Sequence, residues 1–376
     1  SRIADNAVTQ SKILDASINE AKLQISNSPT NGYALTAQSG NTGGLTWAEI
    51  EGGVSSDAQK NTLAGTNAGD SFTGTDAEDN TCIGYNAGTA ITSGDSNTLI
   101  GMGAGEKITT SSSNTVVGRG ALLDCTTGSA HTAIGTNAAA NITTGHYNTA
   151  VGSSCMSYMT TGSSNTCVGQ GSLQSTETGT GNTAVGRSAL MGAYTNANFN
   201  SCTAVGYESL KENNSSGASN TAVGRQALKA NTSGSKHVAI GYGALDANTS
   251  AGDNVAIGYD ALGDNSCVWI GDRAGGSGVN TGDNNHYIGK QAGQANTSGQ
   301  RNTGIGLYPM YANTTGSYNI AIGGYALHTN TTGGHNTYVG EGAGQVATTG
   351  SYNVGLGNYT LNANTTASNN TAVGYY

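Results

Sequence analysis

A glycine that follows an aliphatic residue recurs along most of the chain at a nearly constant interval. The interval is 17 residues in most steps, and the largest departures are a long spacing before Gly206 and a short one before Gly271. A fixed period of this kind predicts a stack of similar units that support one another, not a single globular core. These marker glycines are Gly84, Gly101, Gly118, Gly135, Gly152, Gly169, Gly186, Gly206, Gly224, Gly241, Gly258, Gly271, Gly289, Gly306, Gly323, Gly340, Gly357 and Gly374, and Gly65 ends a degenerate earlier copy.

The consensus around the marker glycine reads N-T-A-(V/I)-G-x-x-A-L-x-x-N-T-T-G-S-x. Alternation along a strand places Thr149 and Val151 on one face, and Ala150 and Gly152 on the other. We predict that the Thr and Val/Ile face points into the core, and that the small Ala and Gly face lets another backbone approach. The A-L pair predicts a second short strand whose Leu closes the core, and the N-T-T-G-S stretch has the composition of a turn.

A helical repeat is excluded by this pattern. A helix needs apolar residues three and four apart over at least about ten residues, whereas each repeat holds two short apolar stretches separated by glycine and turn residues. The sequence therefore predicts an all-β fold, a parallel β-roll or solenoid with coils of about 17 residues. Each coil is poor in large apolar residues, so we expect stacked coils and several copies of the chain to share the stabilisation, as a homotrimeric fibre.

Two short regions precede the repeats. In residues 1–27, apolar residues recur every five positions from Ile3 to Leu23, which predicts a thin fibrous stem shared by several chains; a short amphipathic helix from Ser17 to Leu23 is the alternative. Residues 28–57 predict a small β adaptor, with strands at Tyr33–Thr36 and Leu45–Trp47 and a loop between them. Residues 58–376 form the predicted shaft of about 18 repeats.

Charge and cysteine content exclude several classes of function. The formal net charge is −9 with no basic face, so we predict no nucleic-acid partner. Apolar runs are too short for a membrane-spanning helix. The cysteines show no metal-ligand spacing, and we interpret them as small residues in small core positions, with disulfides or a metal as the alternative. They are Cys82, Cys125, Cys155, Cys167, Cys202 and Cys267.

No catalytic constellation emerges from the sequence, and we predict that the chain is not an enzyme and holds no metal or cofactor. Asp260, Asp264 and Asp272 form a local acidic group, and Glu208 holds the position equivalent to Asp260. Three coils separate those two, roughly 14 Å at the strand spacing, which is too far for a glycosidase pair. The histidines, including His131 and His237 in place of the repeat's Asn, are predicted to lie in surface turns. Ice binding through a Thr array is disfavoured if Thr points inward.

Aromatic residues are the candidate receptor contacts. Tyrosine is concentrated in the last ninety or so residues, and rings with a polar tip suit contact with sugar or protein. The alternative interpretation is stacking between adjacent coils or chains. The 13-residue coil that ends at Gly271 lacks the turn segment and contains a Trp, which makes it a further candidate. The candidate contacts are Tyr308, Tyr311, Tyr325, Tyr359 and Trp269.

The repeat at Asn182–Leu190 and at Asn220–Leu228 resembles the YadA-like head repeats of trimeric autotransporter adhesins. The N-terminal segment that runs from Ala4–Val8 to Lys22–Leu23 resembles stem repeats of phage tail fibres of the marine or cyanophage type, and so does Asn27–Gly32 followed by Gly43–Trp47. The resemblance implies a homotrimeric β-roll in the shaft of a virion tail fibre, outside the cell. The implied partners are other tail proteins at the N-terminal end and a host surface glycan or outer-membrane receptor.

Three other functions stay open at this point. A bacterial trimeric adhesin at the cell surface is the first alternative. A tailspike glycan hydrolase and an ice-binding solenoid are less favoured, for the reasons given above.

Overall fold

The computed structural model describes residues 33–37, 45–49, 54–72, 76–192, 198–213, 218–250, 252–262, 266–276 and 281–376. The predicted stem at residues 1–27 lies outside these ranges. Within residues 28–57, β1 (Tyr33–Ala37) and β2 (Leu45–Glu49) form the two predicted strands, and they pair antiparallel. The predicted loop between them lies outside the described residues.

The rest of the described chain is a parallel β-solenoid in which each coil contributes one short strand. β3 (Ser55–Ser56) pairs antiparallel with β4 and covers the first edge of the sheet. From β4 onwards each strand pairs in parallel with the strand of the next coil, and equivalent residues lie side by side. The strands are β4 (Thr62–Ala64), β5 (Thr81–Ile83), β6 (Thr98–Ile100), β7 (Thr115–Val117), β8 (Thr132–Ile134), β9 (Thr149–Val151), β10 (Thr166–Val168), β11 (Thr183–Val185), β12 (Thr203–Val205), β13 (Thr221–Val223), β14 (Val238–Ile240), β15 (Val255–Ile257), β16 (Val268–Ile270), β17 (His286–Ile288), β18 (Thr303–Ile305), β19 (Ile320–Ile322), β20 (Thr337–Val339), β21 (Val354–Leu356) and β22 (Thr371–Val373).

The all-β solenoid of coils of about 17 residues is therefore confirmed, but the predicted second strand is wrong. The A-L segment follows a turn, and its Leu has a left-handed backbone, with φ of 49° at Leu190 and 52° at Leu327. A β-strand requires a strongly negative φ, so this segment is not a strand, although its backbone still bonds to the next coil, as from the N–H of Leu327 to the carbonyl of Ala343 at 2.9 Å. The Leu side chains still close the core from that side, because both are fully buried.

The predicted orientation of the strand residues is also wrong. The central residue of the strand is buried, as at Ala150, whereas Thr149 and Val151 point outward. The reason is the narrow cross-section of the coil. Leu from the opposite wall already fills the interior, so that only a small residue fits beneath it, and the bulky β-branched residues lie outside.

Core residues that face each other across the coil compensate in size. In several coils a central Ala faces a Leu with a left-handed backbone, as for Ala321 and Leu327, whereas Ala133 faces Ala139. Where the central residue is Trp269, Tyr287 or Tyr338, the facing position is glycine. A Cβ on Gly344 would lie 2.5 Å from Cε1 of Tyr338, so the large ring occupies the space that Leu fills elsewhere. The ring also reaches the next coil, where a Cβ on Gly355 would lie 2.7 Å from Cδ1 of Tyr338.

A ladder of buried asparagines runs parallel to the sheet, at the position before each strand. The Oδ1 of Asn319 accepts the backbone N–H of Asn336 at 3.0 Å, and its Nδ2 donates to the carbonyl of Gly333 at 2.8 Å. The same pair of bonds recurs between successive coils; for example, the backbone N–H of Asn319 donates to Oδ1 of Asn302 at 2.9 Å. These amides satisfy backbone groups that would otherwise be buried without a partner.

The marker glycines lie where two coils come into backbone contact. Gly306 has φ of +138°, which residues with a side chain rarely adopt. A Cβ there would lie 2.5 Å from the carbonyl oxygen of Gly323 in the next coil. The repeat therefore retains glycine at this position.

Four cysteines agree with the sequence interpretation, and two do not. Cys82, Cys125, Cys202 and Cys267 are buried thiols that occupy small core positions. Cys155 and Cys167 are joined by a disulfide between adjacent coils. Cys167 is the central residue of β10, and Cys155 lies three residues after the marker glycine of the previous coil. The sequence separation of 12 does not reveal that these two positions meet.

Candidate functional site

The largest continuous feature of the surface is the outward face of the sheet. We define the outer strip as the first and third residues of strands β4 to β22. Its third residues are aliphatic throughout, and several are well exposed, with 40% for Val168 and 39% for Ile240. Within these described strands the strip carries no Lys, Arg, Asp or Glu, and its one titratable residue is His286.

The length and composition of the outer strip distinguish it from ordinary surface. Eighteen steps at the strand spacing give a strip roughly 85 Å long. Contiguous exposed apolar surface on this scale is typical of a face that another molecule covers. The first residue of the strip is Thr in every strand from β4 to β13, so a regular Thr array also faces outward. The inward orientation on which ice binding was disfavoured is therefore incorrect.

Three of the predicted receptor contacts form one aromatic cluster with His328. Tyr308 and Tyr325 lie in adjacent coils with ring centroids 5.4 Å apart. Tyr311 stacks on His328 at 5.1 Å, with an angle of 7° between the ring planes. The structure thus brings these residues together, but part of their ring surface packs against neighbouring coils, which is the alternative role that the sequence allowed.

The other two predicted contacts lie in different surroundings. Tyr359 is partly exposed and stacks on Tyr376 at 5.4 Å. Trp269 is 0% exposed and packs edge-on against Tyr287 at 5.4 Å, so it cannot touch a receptor directly. The facing glycine, Gly275, leaves room for this large ring in the core.

Two further files of stacked side chains were not predicted. Tyr318, His335 and Tyr352 stack with centroids 4.8 and 4.9 Å apart in three successive coils. In the second file, an arginine lies between tyrosine rings of the two adjacent coils. The Arg225 guanidinium is 5.7 Å from the centre of the Tyr207 ring and 5.4 Å from the centre of the Tyr242 ring. Members of each file share one position in the repeat, so aligning the repeats by position would have found both.

Of the acidic residues that the sequence singled out, Glu208 is paired with lysines. Glu208 binds Lys211 at 2.8 Å and Lys229 at 3.4 Å, and the hydrogen bond from Lys211 is the main cause that lowers the pKa of Glu208 to about 2. A carboxyl held ionised in this way is a poor general acid. Burial, with a smaller repulsion from Asp260, raises the pKa of Asp246. Asp264 lies outside the described residues.

His131 and His237 are buried, which corrects the predicted surface-turn role for these two. Each takes an asparagine position of the ladder. The backbone N–H of His131 donates to Oδ1 of Asn114 at 2.9 Å, and its Nδ1 accepts the N–H of Asn148 at 3.3 Å. Burial lowers the pKa of His131 to about 4; the Gly145 carbonyl opposes this shift, and His146 adds to it.

Acid should therefore destabilise the coils around His131. Because the folded pKa is about 4 and the unfolded value is 6.5, the unfolded chain binds the proton first as pH falls. The resulting loss begins near pH 6.5, is complete near pH 4, and reaches about 3 kcal/mol in total. The His131→Asn variant, which restores the usual ladder residue, should lose less stability between pH 7 and pH 4 in chemical denaturation. Equal losses in the two proteins would contradict this assignment.

Within the described part of the chain, no cluster of three or more His, Cys, Asp or Glu side chains could hold a metal ion. The same residues include no helix long and apolar enough to cross a membrane.

The fold and its outer strip define a class, a fibrous parallel β-solenoid with one apolar face. Comparison with protein-family models and with curated proteins found no match to either. The more specific assignment therefore depends on the residues of the chain itself.

Proposed function

We propose that the chain is the homotrimeric shaft of a phage tail fibre, a structural virion protein that mediates attachment to the host surface. The observation that carries this proposal is the outer strip. An exposed apolar face that continues through β4 to β22 suits a partner of the same length and regularity. A second and a third copy of the same chain meet that requirement.

The regular register of the sheet explains why the copies would associate in parallel. Equivalent residues lie side by side from coil to coil, so parallel copies repeat the same contact at every step. Three strips that face a common axis would bury the Val/Ile rows against one another. Tail proteins at the N-terminal end and a host glycan or outer-membrane receptor are the proposed further partners, and several fibres per particle would add avidity.

Charges placed on the strip should dissociate the trimer. In the variant Ile305→Lys/Ile322→Lys, two adjacent strip residues gain charges that a dry interface cannot accommodate. We expect the unmodified chain to sediment with three times the 37.5 kDa chain mass, and the variant to sediment as a monomer. The matched control is Thr315→Lys/Thr332→Lys, at exposed turn positions off the strip, which should remain trimeric.

The attachment role has a separate test. The purified chain should compete with intact particles for adsorption to host cells, and antibodies against the chain should label virion fibres in electron micrographs. A monomeric unmodified chain would contradict the trimer, and labelling of bacterial surfaces instead of virions would favour the adhesin alternative.

Ice binding is a second candidate, because one observation favours it. The outward Thr array from β4 to β13 repeats at the strand spacing. A monomer that produces thermal hysteresis would support this function. A trimer without thermal hysteresis would exclude it, since the same strip would be buried.

A further inference from the structure

A groove of about 280 Å³ lies beside the outer strip near the start of the solenoid. Its floor is formed by Gly103 and Gly120, which take the second position after the marker glycine in two successive coils. The coils on either side carry Asn86 and Asn137 at that position, and these side chains close the ends. We call this feature the lateral groove. It exists because two neighbouring coils lack a side chain that their neighbours have.

The walls of the lateral groove differ in chemistry. Tyr85, Met102 and Arg119 directly follow their marker glycines and form one wall, and all three are exposed. Glu106 and Leu123 form the opposite wall.

The Glu106 carboxylate faces the groove. Its Oε1 accepts a bond from Nδ2 of Asn86 at 3.4 Å. Its Oε2 lies 3.1 Å from the point that a Cβ on Gly103 would occupy, which places this oxygen over the floor. A hydroxyl in the groove could therefore donate to Glu106.

The lateral groove combines groups that recognise a sugar ring. The Glu106 carboxylate and the Oδ1 of Asn137, which lies over Gly120, accept hydroxyl protons, while the guanidinium of Arg119 donates to ring and hydroxyl oxygens. Tyr85, unlike the stacked tyrosines, packs against no other aromatic ring within the described residues, so its face is open to the apolar side of a pyranose. The positive charge of Arg119 and the negative charge of Glu106 cancel, so the groove favours an uncharged ligand.

The size of the groove decides how much of a glycan it holds. A volume of about 280 Å³ lies just below the range of roughly 300–1,000 Å³ that is usual for drug-sized ligands. One sugar ring fits, and further units would extend into solvent.

We propose that the lateral groove binds one neutral pyranose unit of a surface glycan. This inference deepens the attachment role and rests on it. Three grooves per trimer would raise a weak contact to a useful avidity. For a ligand of this size we expect a Kd on the order of 1 mM for a single site.

The test fills the floor with a side chain that the fold already accepts at the same position. In Gly120→Asn, the new amide should pair with Asn137 as Asn67 pairs with Asn86 at 3.0 Å, so the coil should fold. The control is Gly171→Asn, which makes the same change at the same repeat position, with the same left-handed φ near 62°, outside the groove.

The readout is saturation-transfer NMR of the full chain with glucose, galactose, mannose, N-acetylglucosamine and N-acetylgalactosamine. We expect at least one sugar to bind, at least tenfold weaker binding in Gly120→Asn and in Tyr85→Ala, and unchanged binding in Gly171→Asn. Absence of binding by every sugar, or equal binding by Gly120→Asn and Gly171→Asn, would overturn the proposal.

Adsorption assays with the same proteins separate this proposal from the attachment role. If no sugar binds but the purified chain still competes for host cells, the groove assignment fails and attachment stands. If a sugar binds but the chain does not compete, attachment fails and the groove remains a sugar site.

Discussion

Replacing Asn319 with alanine should destabilise the solenoid by about 3 kcal/mol. The side chain is fully buried, and its removal leaves the N–H of Asn336 without an acceptor. It also removes one of the two amides that donate to the Gly333 carbonyl, since Asn330 supplies the other at 3.0 Å. Water cannot replace these partners inside the coil, so the cost exceeds that of an exposed hydrogen bond.

The matched control for this prediction is Asn358→Ala. The Oδ1 of Asn358 also accepts a backbone N–H from the adjacent coil, that of Glu341 at 3.1 Å, but on the surface. We expect a loss well under 1 kcal/mol, because water can take over the bond. Denaturant titration of both variants against the unmodified chain gives the comparison. Equal losses would mean that the buried ladder is not a principal source of stability.

Replacing Tyr338 with alanine should cost about 4 kcal/mol, since it leaves a cavity that the facing glycine cannot fill. Gly344→Leu should also destabilise strongly, because its side chain would overlap the Tyr338 ring. The double variant recreates the Ala and Leu pair that Ala321 and Leu327 form one coil earlier. It should recover part of the stability lost in Tyr338→Ala, because the new Leu refills the space over position 344 but not the space beside Gly355.

A double-mutant cycle measures this compensation directly. Thermal or denaturant unfolding of the two single variants and the double variant should give a coupling free energy of at least about 3 kcal/mol. If the Gly344→Leu single variant does not fold, the comparison between Tyr338→Ala and the double variant still decides. A double variant no more stable than Tyr338→Ala alone would show that the facing residues do not share one core volume.

Particular elements show how far the sequence could be interpreted. The spacing of the marker glycines predicted the coil length, because each backbone contact between successive coils requires a glycine. The strands at Tyr33–Thr36 and Leu45–Trp47 followed from local composition and turn signals. The prediction that Trp269 contacts a receptor was wrong. A large ring in a shortened coil is consistent with an exposed binding residue or with a buried core residue, and the sequence does not distinguish the two.

The candidate sites were less accessible from sequence for a similar reason. Tyr308, Tyr311 and Tyr325 were identified individually, but the contact with His328 depends on how adjacent coils are superposed. The lateral groove leaves only a weak signal, two glycines at positions where neighbouring coils carry asparagine. These two glycines indicate a groove only when that repeat position is known to lie on the surface.

The sequence by itself determined the period, the β class and the stacking of one coil on the next, because these depend on residue identity at fixed intervals. The direction in which Thr149, Ala150 and Val151 point was decided only by the tertiary structure. Alternation divides the strand residues into two faces but does not say which is inside. That choice depends on the space left by Leu on the opposite wall, and it places the Val and Ile rows on the surface, where they form the outer strip.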